Sequence, residues 1–132
     1  CYTDPATAKN FVEETHVDAL AISFGTTHGV YLTEPKLDLN RITEIKRQID
    51  IPFVMHGGSG VSDEDFKTAI KNGITKINYY TYGAMAGGNK IREYVKSAGE
   101  GEIFLHDIIA AGKEGVKEDV RAAMTVFADS IL

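Results

Sequence analysis

Three short strand-like segments alternate with amphipathic helical patterns along this sequence, and that alternation restricts its fold more than any other feature. The segments cover residues 19–24, 51–55 and 74–80. The first is almost continuously apolar, which is typical of a strand buried on both faces. Strands that alternate with helices form a parallel sheet with helical crossover connections. We therefore predict an α/β fold.

Helix-start signals precede the first three helical patterns. Asp4 and Asp38 are placed to cap the first two helices, and Ser62 with Asp65 three residues later resembles a capping box. Gly73 is expected to end the third helix.

The last third of the sequence is predicted to be helical. A small-residue stretch at 84–88 leads to a fourth helix around Ile91 and Tyr94, and residues 99–101 mark a break. Apolar residues then recur at helical spacing, at Val116, Val120, Ala123, Met124 and Phe127. We expect this amphipathic tail helix to be a packing element.

Three strands are few for an α/β domain, and a sheet of three would expose open edges. We therefore expect further strands upstream. The sequence also begins without methionine, on a helix-start signal. It is accordingly expected to be a fragment, a processed piece or an engineered piece of a longer protein.

Composition argues against several classes of partner and setting. The net charge is −5 and the basic residues are scattered, so neither nucleic acid nor an anionic membrane is an expected partner. The single cysteine, Cys1, cannot form an internal disulfide, and its terminal position predicts an inert thiol. No apolar run approaches the roughly 20 residues of a membrane helix, and no signal peptide is recognisable. A cytoplasmic setting is expected.

Polar residues follow each predicted strand. The first strand runs into a loop with His28, the second ends at His56 and the glycine-rich segment 57–60, and the third holds Asn78 before Thr81. Parallel α/β folds carry their chemistry at the carboxyl ends of the strands. We therefore predict that these groups lie together at the carboxyl-end edge of the sheet.

Each of these groups has a functional and a purely structural interpretation. Imidazoles that converge are the commonest metal ligands, but His28 and His56 can equally be loop histidines without a metal. The glycines at 57–60 suit an anion, with the positive end of the next helix behind them, or only a tight turn. Asn78 and Thr81 suit substrate hydroxyls or phosphate, or hydrogen bonds to nearby backbone.

The combination of these segments resembles the class II fructose-bisphosphate and tagatose-bisphosphate aldolases. The resemblance covers roughly residues 2–94. It is carried by Tyr2-Thr3-Asp4-Pro5, Gly25-Thr26-Thr27-His28-Gly29-Val30-Tyr31, Pro35-Lys36-Leu37-Asp38, His56-Gly57-Gly58-Ser59-Gly60, and Lys76-Ile77-Asn78 with Thr81. It implies that residues 1–132 are the C-terminal part of a single (β/α)8 TIM-barrel domain, with strands six to eight and a helical tail.

The resemblance also implies roles for individual residues. His28 and His56 would bind one catalytic zinc, and a monovalent cation, Na⁺ or K⁺, would lie near the same loops. Ser59 and Thr81 would lie near phosphate. The residues implied to contact the dihydroxyacetone-phosphate half of the substrate are Gly29, Gly57, Gly58, Ser59, Asn78, Tyr79, Tyr80 and Thr81.

The sequence departs from the family in two ways. Tyr79 and Tyr80 stand where the family often has Val-Asn or Val-Ala, and Tyr82-Gly83 follow Thr81 where the family has Asp or Glu. The aromatic pair leaves fructose versus tagatose open. The third zinc histidine and the general-base aspartate of the family come from earlier strands, so no catalytic residue is assigned here. His16 precedes the first strand and His106 lies beyond the last, so neither is expected to be a ligand.

The resemblance implies a glycolytic, zinc-dependent lyase that reversibly cleaves a ketose 1,6-bisphosphate to dihydroxyacetone phosphate and glyceraldehyde 3-phosphate, with fructose 1,6-bisphosphate as the expected substrate. We expect a homo-oligomer, a dimer or tetramer, and no activity from residues 1–132 without the N-terminal half of the barrel. The alternatives are a non-catalytic half-barrel used for binding or assembly, and a metal-free phosphate-binding barrel of the isomerase or synthase type.

Overall fold

The computed structural model describes residues 2–30, 33 and 35–129 of the chain. The predictions made for Cys1 and for Tyr31 of the first glycine–histidine segment lie outside these residues. The described residues form α1 (Pro5–Thr15), β1 (Leu20–Ala21), α2 (Leu39–Lys46), β2 (Phe53–Met55), α3 (Asp63–Asn72), β3 (Ile74–Ile77), α4 (Thr81–Ala98) and α5 (Leu105–Asp129). The α/β alternation is thereby confirmed.

The three strands form one parallel sheet in the order β1-β2-β3. Every strand is shorter than its apolar segment predicted. At the β1 edge, Thr3 takes the position of a neighbouring strand, because its N–H donates to the Ser23 carbonyl at 2.8 Å and its Oγ1 accepts from the Ser23 N–H at 2.8 Å.

The core lies between this sheet and its helices. Its largest fully buried side chains are Phe24, Phe53, Ile42, Ile45 and Met55. Phe53 and Met55 alternate with the less buried Val54, so one face of β2 is buried in the core and the other is turned away from it. The inner face of α2 is formed by the buried Ile42 and Ile45, and Ile49, just beyond the helix, is buried as well.

The predicted caps are present. The side chain of Asp4 accepts from the Thr7 N–H, that of Asp38 from the Arg41 N–H, and that of Ser62 from the Asp65 N–H. Gly73 is the C-cap of α3, as expected. The helices α1, α2 and α3 therefore each begin where a short polar side chain satisfies an otherwise unpaired backbone donor.

Contacts divide the chain into two compact units, residues 1–79 with 126–132, and residues 80–125. Within the second unit the predicted position of the fourth helix is wrong at its start, because the 84–88 stretch lies inside α4 rather than before it. A Cβ at Gly87 would lie 2.9 Å from the Gly112 carbonyl of α5. The small residues therefore lie at a close helix–helix contact inside α4.

Both edges of the sheet border apolar grooves. One, of about 560 Å³, lies beside β1 and α1 and includes Phe11 and Leu20. The other, of about 400 Å³, lies beside β3 and includes Ile70 and Phe127. Among the described residues, no helix combines the length and hydrophobicity that a bilayer crossing requires.

Candidate active site

His28 and His56 follow adjacent strands and lie together. Nε2 of His28 is 3.1 Å from Nδ1 of His56, and the two rings meet edge to face with centroids 5.2 Å apart. Both residues are exposed, so the nitrogens can be reached from solvent. The structure thus brings together the two histidines that the sequence predicted at the carboxyl-end edge of the sheet.

A close approach of the two histidine loops accounts for this geometry. Gly57 has φ +68°, and a Cβ there would lie 2.2 Å from the carbonyl oxygen of Thr27. Only glycine permits both that backbone conformation and that separation. Because Thr27 precedes His28 and Gly57 follows His56, this contact holds the two imidazoles next to each other.

The nitrogen separation suits a shared metal. Two Zn–N bonds of about 2.0–2.1 Å at a tetrahedral angle place their nitrogens about 3.3 Å apart. The observed 3.1 Å between His28 Nε2 and His56 Nδ1 is close to that value. These two residues therefore fit as a pair of zinc ligands without a large movement of either loop.

No third ligand joins the pair within the described part of the chain, where no cluster of three His, Cys, Asp or Glu side chains could hold a metal. His16 is the C-cap of α1, in a left-handed conformation, as expected of a helix-end histidine. His106 lies in the first turn of α5, with its side chain 79% exposed and stacked on Phe104. A three-ligand zinc site would need a further residue from outside the described chain.

The glycine-rich segment after His56 forms a buried turn between β2 and α3. Gly57, Gly58 and Ser59 are all buried, and Ser59 is only 4% exposed. The Val61 N–H donates to the Gly58 carbonyl at 3.3 Å, which closes the turn. Ser59 has at least one interaction within the protein.

The start of α3 is less favourable to an anion than its position suggests. Its first turn contains three acidic residues, Asp63, Glu64 and Asp65. These carboxylates stabilise the helix by compensating the positive end of its dipole, but they also repel a phosphate. Any phosphate at this turn therefore depends on the loop N–H groups and Ser59 more than on the helix.

Asn78 reaches His56 from the neighbouring strand. Its Nδ2 lies 3.0 Å from Nδ1 and 3.3 Å from Nε2 of His56. Its Oδ1 accepts a hydrogen bond from Nζ of Lys76. Sequence reasoning named Lys76 only as part of a motif. Its position near the site could have been predicted from the sequence, because side chains alternate along a strand and residues 76 and 78 therefore share one face.

The two tyrosines after Asn78 differ in their surroundings. Tyr79 packs against the core, with its ring 6.4 Å from that of Phe127, so its side chain serves packing. Tyr80, 79% exposed, belongs to the second unit and precedes α4. The first turn of α4, which begins at Thr81, contains no acidic residue, and Tyr80 provides no side-chain cap.

Gly29 follows His28 at the rim of the pair. No atom lies within 4 Å of the position that a Cβ would occupy there. Open space beside a candidate metal ligand is compatible with close approach of a substrate to the main chain.

Known proteins resemble this chain in sequence. The sequence profile of the fructose-bisphosphate aldolase class-II family matches residues 1–130. The chain belongs to the class II fructose-bisphosphate aldolase family. The uncharacterized protein YdjI of Escherichia coli K12 is 39% identical over 123 residues, 91% of this chain and 42% of that protein.

Solved structures of aldolases agree in fold. The crystal structure of the YdjI aldolase from E. coli K12 has a TM-score of 0.83 at 38% identity, covering 96% of this chain and 46% of that one. Fructose-bisphosphate aldolase from Campylobacter jejuni has a TM-score of 0.78 at 25% identity, and the match covers 96% of this chain and 45% of that one. A fructose-1,6-bisphosphate aldolase described as putative, from Coccidioides immitis, has a TM-score of 0.72 at 20% identity. The match covers 98% of this chain and 44% of that one, and it shows similarity of fold alone.

The chain spans less than half the length of these relatives. Its three parallel strands and surrounding helices are a partial α/β structure of the TIM-barrel type found in the aldolase neighbours. The sequence-based identification of the family and of the fold is confirmed.

Proposed function

We propose that the protein carrying this chain is a zinc-dependent aldolase. It would reversibly cleave a ketose 1,6-bisphosphate, with fructose 1,6-bisphosphate as the first candidate, to dihydroxyacetone phosphate and glyceraldehyde 3-phosphate. The observation that supports this most is the 3.1 Å separation of His28 Nε2 and His56 Nδ1 on two neighbouring loops. Membership of the aldolase family makes aldol cleavage the reaction to test.

The residues of this chain would bind and orient the substrate. His28 and His56 would hold zinc, which when bound supplies a Lewis acid that polarises the ketose carbonyl. The N–H groups of Gly57 and Gly58, with Ser59, would bind the phosphate of the dihydroxyacetone half. Asn78 would donate to a substrate oxygen. Fixing one end of the substrate in this way orients the carbons of the scissile bond.

Tyr80, Thr81 and Gly29 complete the proposed substrate contacts. Thr81 starts a helix whose first turn has no acidic residue, so it favours an anion more than α3 does. Gly29 would contact substrate through its main chain. Because the ring of Tyr79 packs in the core, any contribution from this residue would come from its backbone.

The chain on its own is proposed to be inactive. Proton transfer needs a general base, and none is assigned in this chain. The apolar grooves at both sheet edges favour further strands there, so we propose that residues 1–132 form the C-terminal part of one barrel domain. A cytoplasmic location, a homo-oligomer and a monovalent cation near the site stay predictions, for fractionation, light scattering and potassium or sodium titration to test.

The test compares substrates and metal states of the full-length protein. We expect cleavage of fructose 1,6-bisphosphate, loss of activity after chelation, and recovery when zinc is restored. Parallel assays with tagatose 1,6-bisphosphate measure the preference that the sequence leaves open. Full activity after exhaustive chelation would instead favour the metal-free barrel enzyme. Absence of cleavage in both metal states would contradict the aldolase assignment.

A further inference from the structure

Lys76 and Asn78 lie on the same side of β3 as the candidate metal pair. Met55 and Ile77 are register partners on β2 and β3, and both belong to the core beside the helices. Because side chains alternate along a strand, Lys76 and Asn78 are directed to the opposite side, the side of His56. The exposed Lys76 is therefore two residues before Asn78 on β3, the strand next to β2, which His56 follows.

The lysine determines which way the Asn78 amide points. Nζ of Lys76 donates to Oδ1 of Asn78. An ammonium group has donors and no acceptor, so the amide atom beside it must be the oxygen. The NH₂ group of Asn78 is consequently left facing His56.

The NH₂ group covers the face of the His56 ring. Its nitrogen lies 3.0 Å from Nδ1 and 3.3 Å from Nε2. Since these two atoms flank the ring carbon Cε1, near-equal distances place the amide nitrogen above the ring, as a position in the ring plane would overlap that carbon. An N–H over an aromatic face is favourable. Nδ1 of His56 is thereby left to face His28 Nε2, 3.1 Å away.

The opposite amide orientation would be unfavourable. Rotation of the Asn78 amide by half a turn would bring Oδ1 over the electron-rich face of the ring, where the two negative regions repel. Such rotation would also abolish the hydrogen bond from Lys76. The lysine therefore selects the orientation that holds the His56 ring still.

We propose that Lys76 is a positioning residue for the metal site. By fixing the polarity of the Asn78 amide, it keeps the His56 ring turned so that Nδ1 and His28 Nε2 share one ligand position. This inference rests on the proposed role of His28 and His56 as metal ligands. It gives a role to a residue that contacts Asn78 rather than the metal, and to which sequence reasoning gave no role.

The test measures zinc affinity of the full-length protein by competition with a chromophoric chelator. Lys76→Met removes the donor and keeps the chain length, and we expect it to lower zinc affinity about 10- to 100-fold, as loss of an outer-shell partner does. Lys76→Arg retains a donor and should restore most of the affinity. Lys113→Met, on the exposed side of α5, is the control and should bind zinc like the wild type.

A double-mutant cycle tests whether Lys76 acts through Asn78. Asn78→Leu removes the amide and should lower zinc affinity by itself. Lys76→Met added to Asn78→Leu should then cost little more, because residues that act as a unit are non-additive. If Lys76→Met alone does not fold, Lys76→Ala replaces it in the same cycle, with the same expected results.

The outcomes separate this inference from the proposed function. If His28→Ala and His56→Ala abolish zinc binding but Lys76→Met leaves the affinity within about twofold, a change below the outer-shell range, Lys76 does not position the site. Equal losses in Lys76→Met and Lys76→Arg, or additive losses in the cycle, also overturn it. If the histidine variants bind zinc normally, the proposed metal pair itself is wrong.

Discussion

The main chains of Thr27 and Gly57 approach so closely that a Cβ on Gly57 would lie 2.2 Å from the Thr27 carbonyl oxygen. The two residues belong to the loops that carry His28 and His56. Their contact is the backbone relationship that sets the distance between the two imidazoles, and it requires glycine at position 57.

Gly57→Ala is therefore expected to destabilise the chain and weaken metal binding. The left-handed φ and the overlap with Thr27 should together cost about 2–4 kcal/mol of unfolding free energy. Gly29→Ala is the control, because it also has positive φ but no atom near its Cβ position, and should cost about 1–2 kcal/mol. Urea unfolding of both variants measures the difference, and equal losses would show that the Thr27 contact carries no energetic cost.

His28→Ala and His56→Ala should each reduce zinc content well below the value of about one per chain expected of a catalytic site. Each substitution removes one of two nitrogens that stand at the separation of shared ligands. Elemental analysis of the full-length protein after dialysis measures the loss. His106→Ala serves as the control, since this exposed histidine lies in α5 and should leave zinc content unchanged.

Phe127→Ala should destabilise the first unit. The Phe127 ring lies 5.0 Å from that of Phe66 and 6.4 Å from that of Tyr79, and the residue is half-buried. We expect a loss of about 2–3 kcal/mol, somewhat below that of a fully buried phenylalanine. Met124→Ala, three residues earlier and 63% exposed, should cost less than about 0.5 kcal/mol. Similar losses from the two substitutions would contradict the packing role of Phe127.

Asp4 should contribute an acid-dependent part of the stability. Hydrogen bonds from the N–H and hydroxyl of Thr7 hold the pKa of the Asp4 carboxyl below its ordinary value of 3.8. A lowered pKa in the folded state means that the stabilisation is complete above 3.8 and is lost as pH falls through the lower folded value. Asp4→Asn should therefore show a shallower decline of unfolding free energy with acid than the wild type.

Thr7→Val provides the matched control for Asp4. It keeps the backbone donor but removes the hydroxyl, so the acid dependence should lie between those of the wild type and Asp4→Asn. Thermal unfolding at a series of pH values from neutrality to about one unit below the ordinary carboxyl pKa covers the transition. Parallel curves for the wild type and Asp4→Asn would rule out the cap as the cause.

Local signals in the sequence predicted much of the fold. Asp4, Asp38 and Ser62 cap the helices they were expected to cap, and Gly73 ends α3. Caps are short-range hydrogen bonds, so the residues that make them are adjacent in sequence and visible there. The start of α4 was missed because the small residues at 84–88 were placed before the helix, whereas their packing against α5 favours a helical conformation.

The sequence by itself determined the alternation of helices and strands and the family. It also singled out His28 and His56 as the candidate metal ligands. These depend on periodicity and on residue types within short segments. Only the tertiary structure decided that His28 Nε2 and His56 Nδ1 lie 3.1 Å apart, that acidic residues offset the end of α3, and that Lys76 orients Asn78. Such relationships depend on strand register and on contacts between loops about 30 residues apart, distances over which local sequence patterns carry no geometric information.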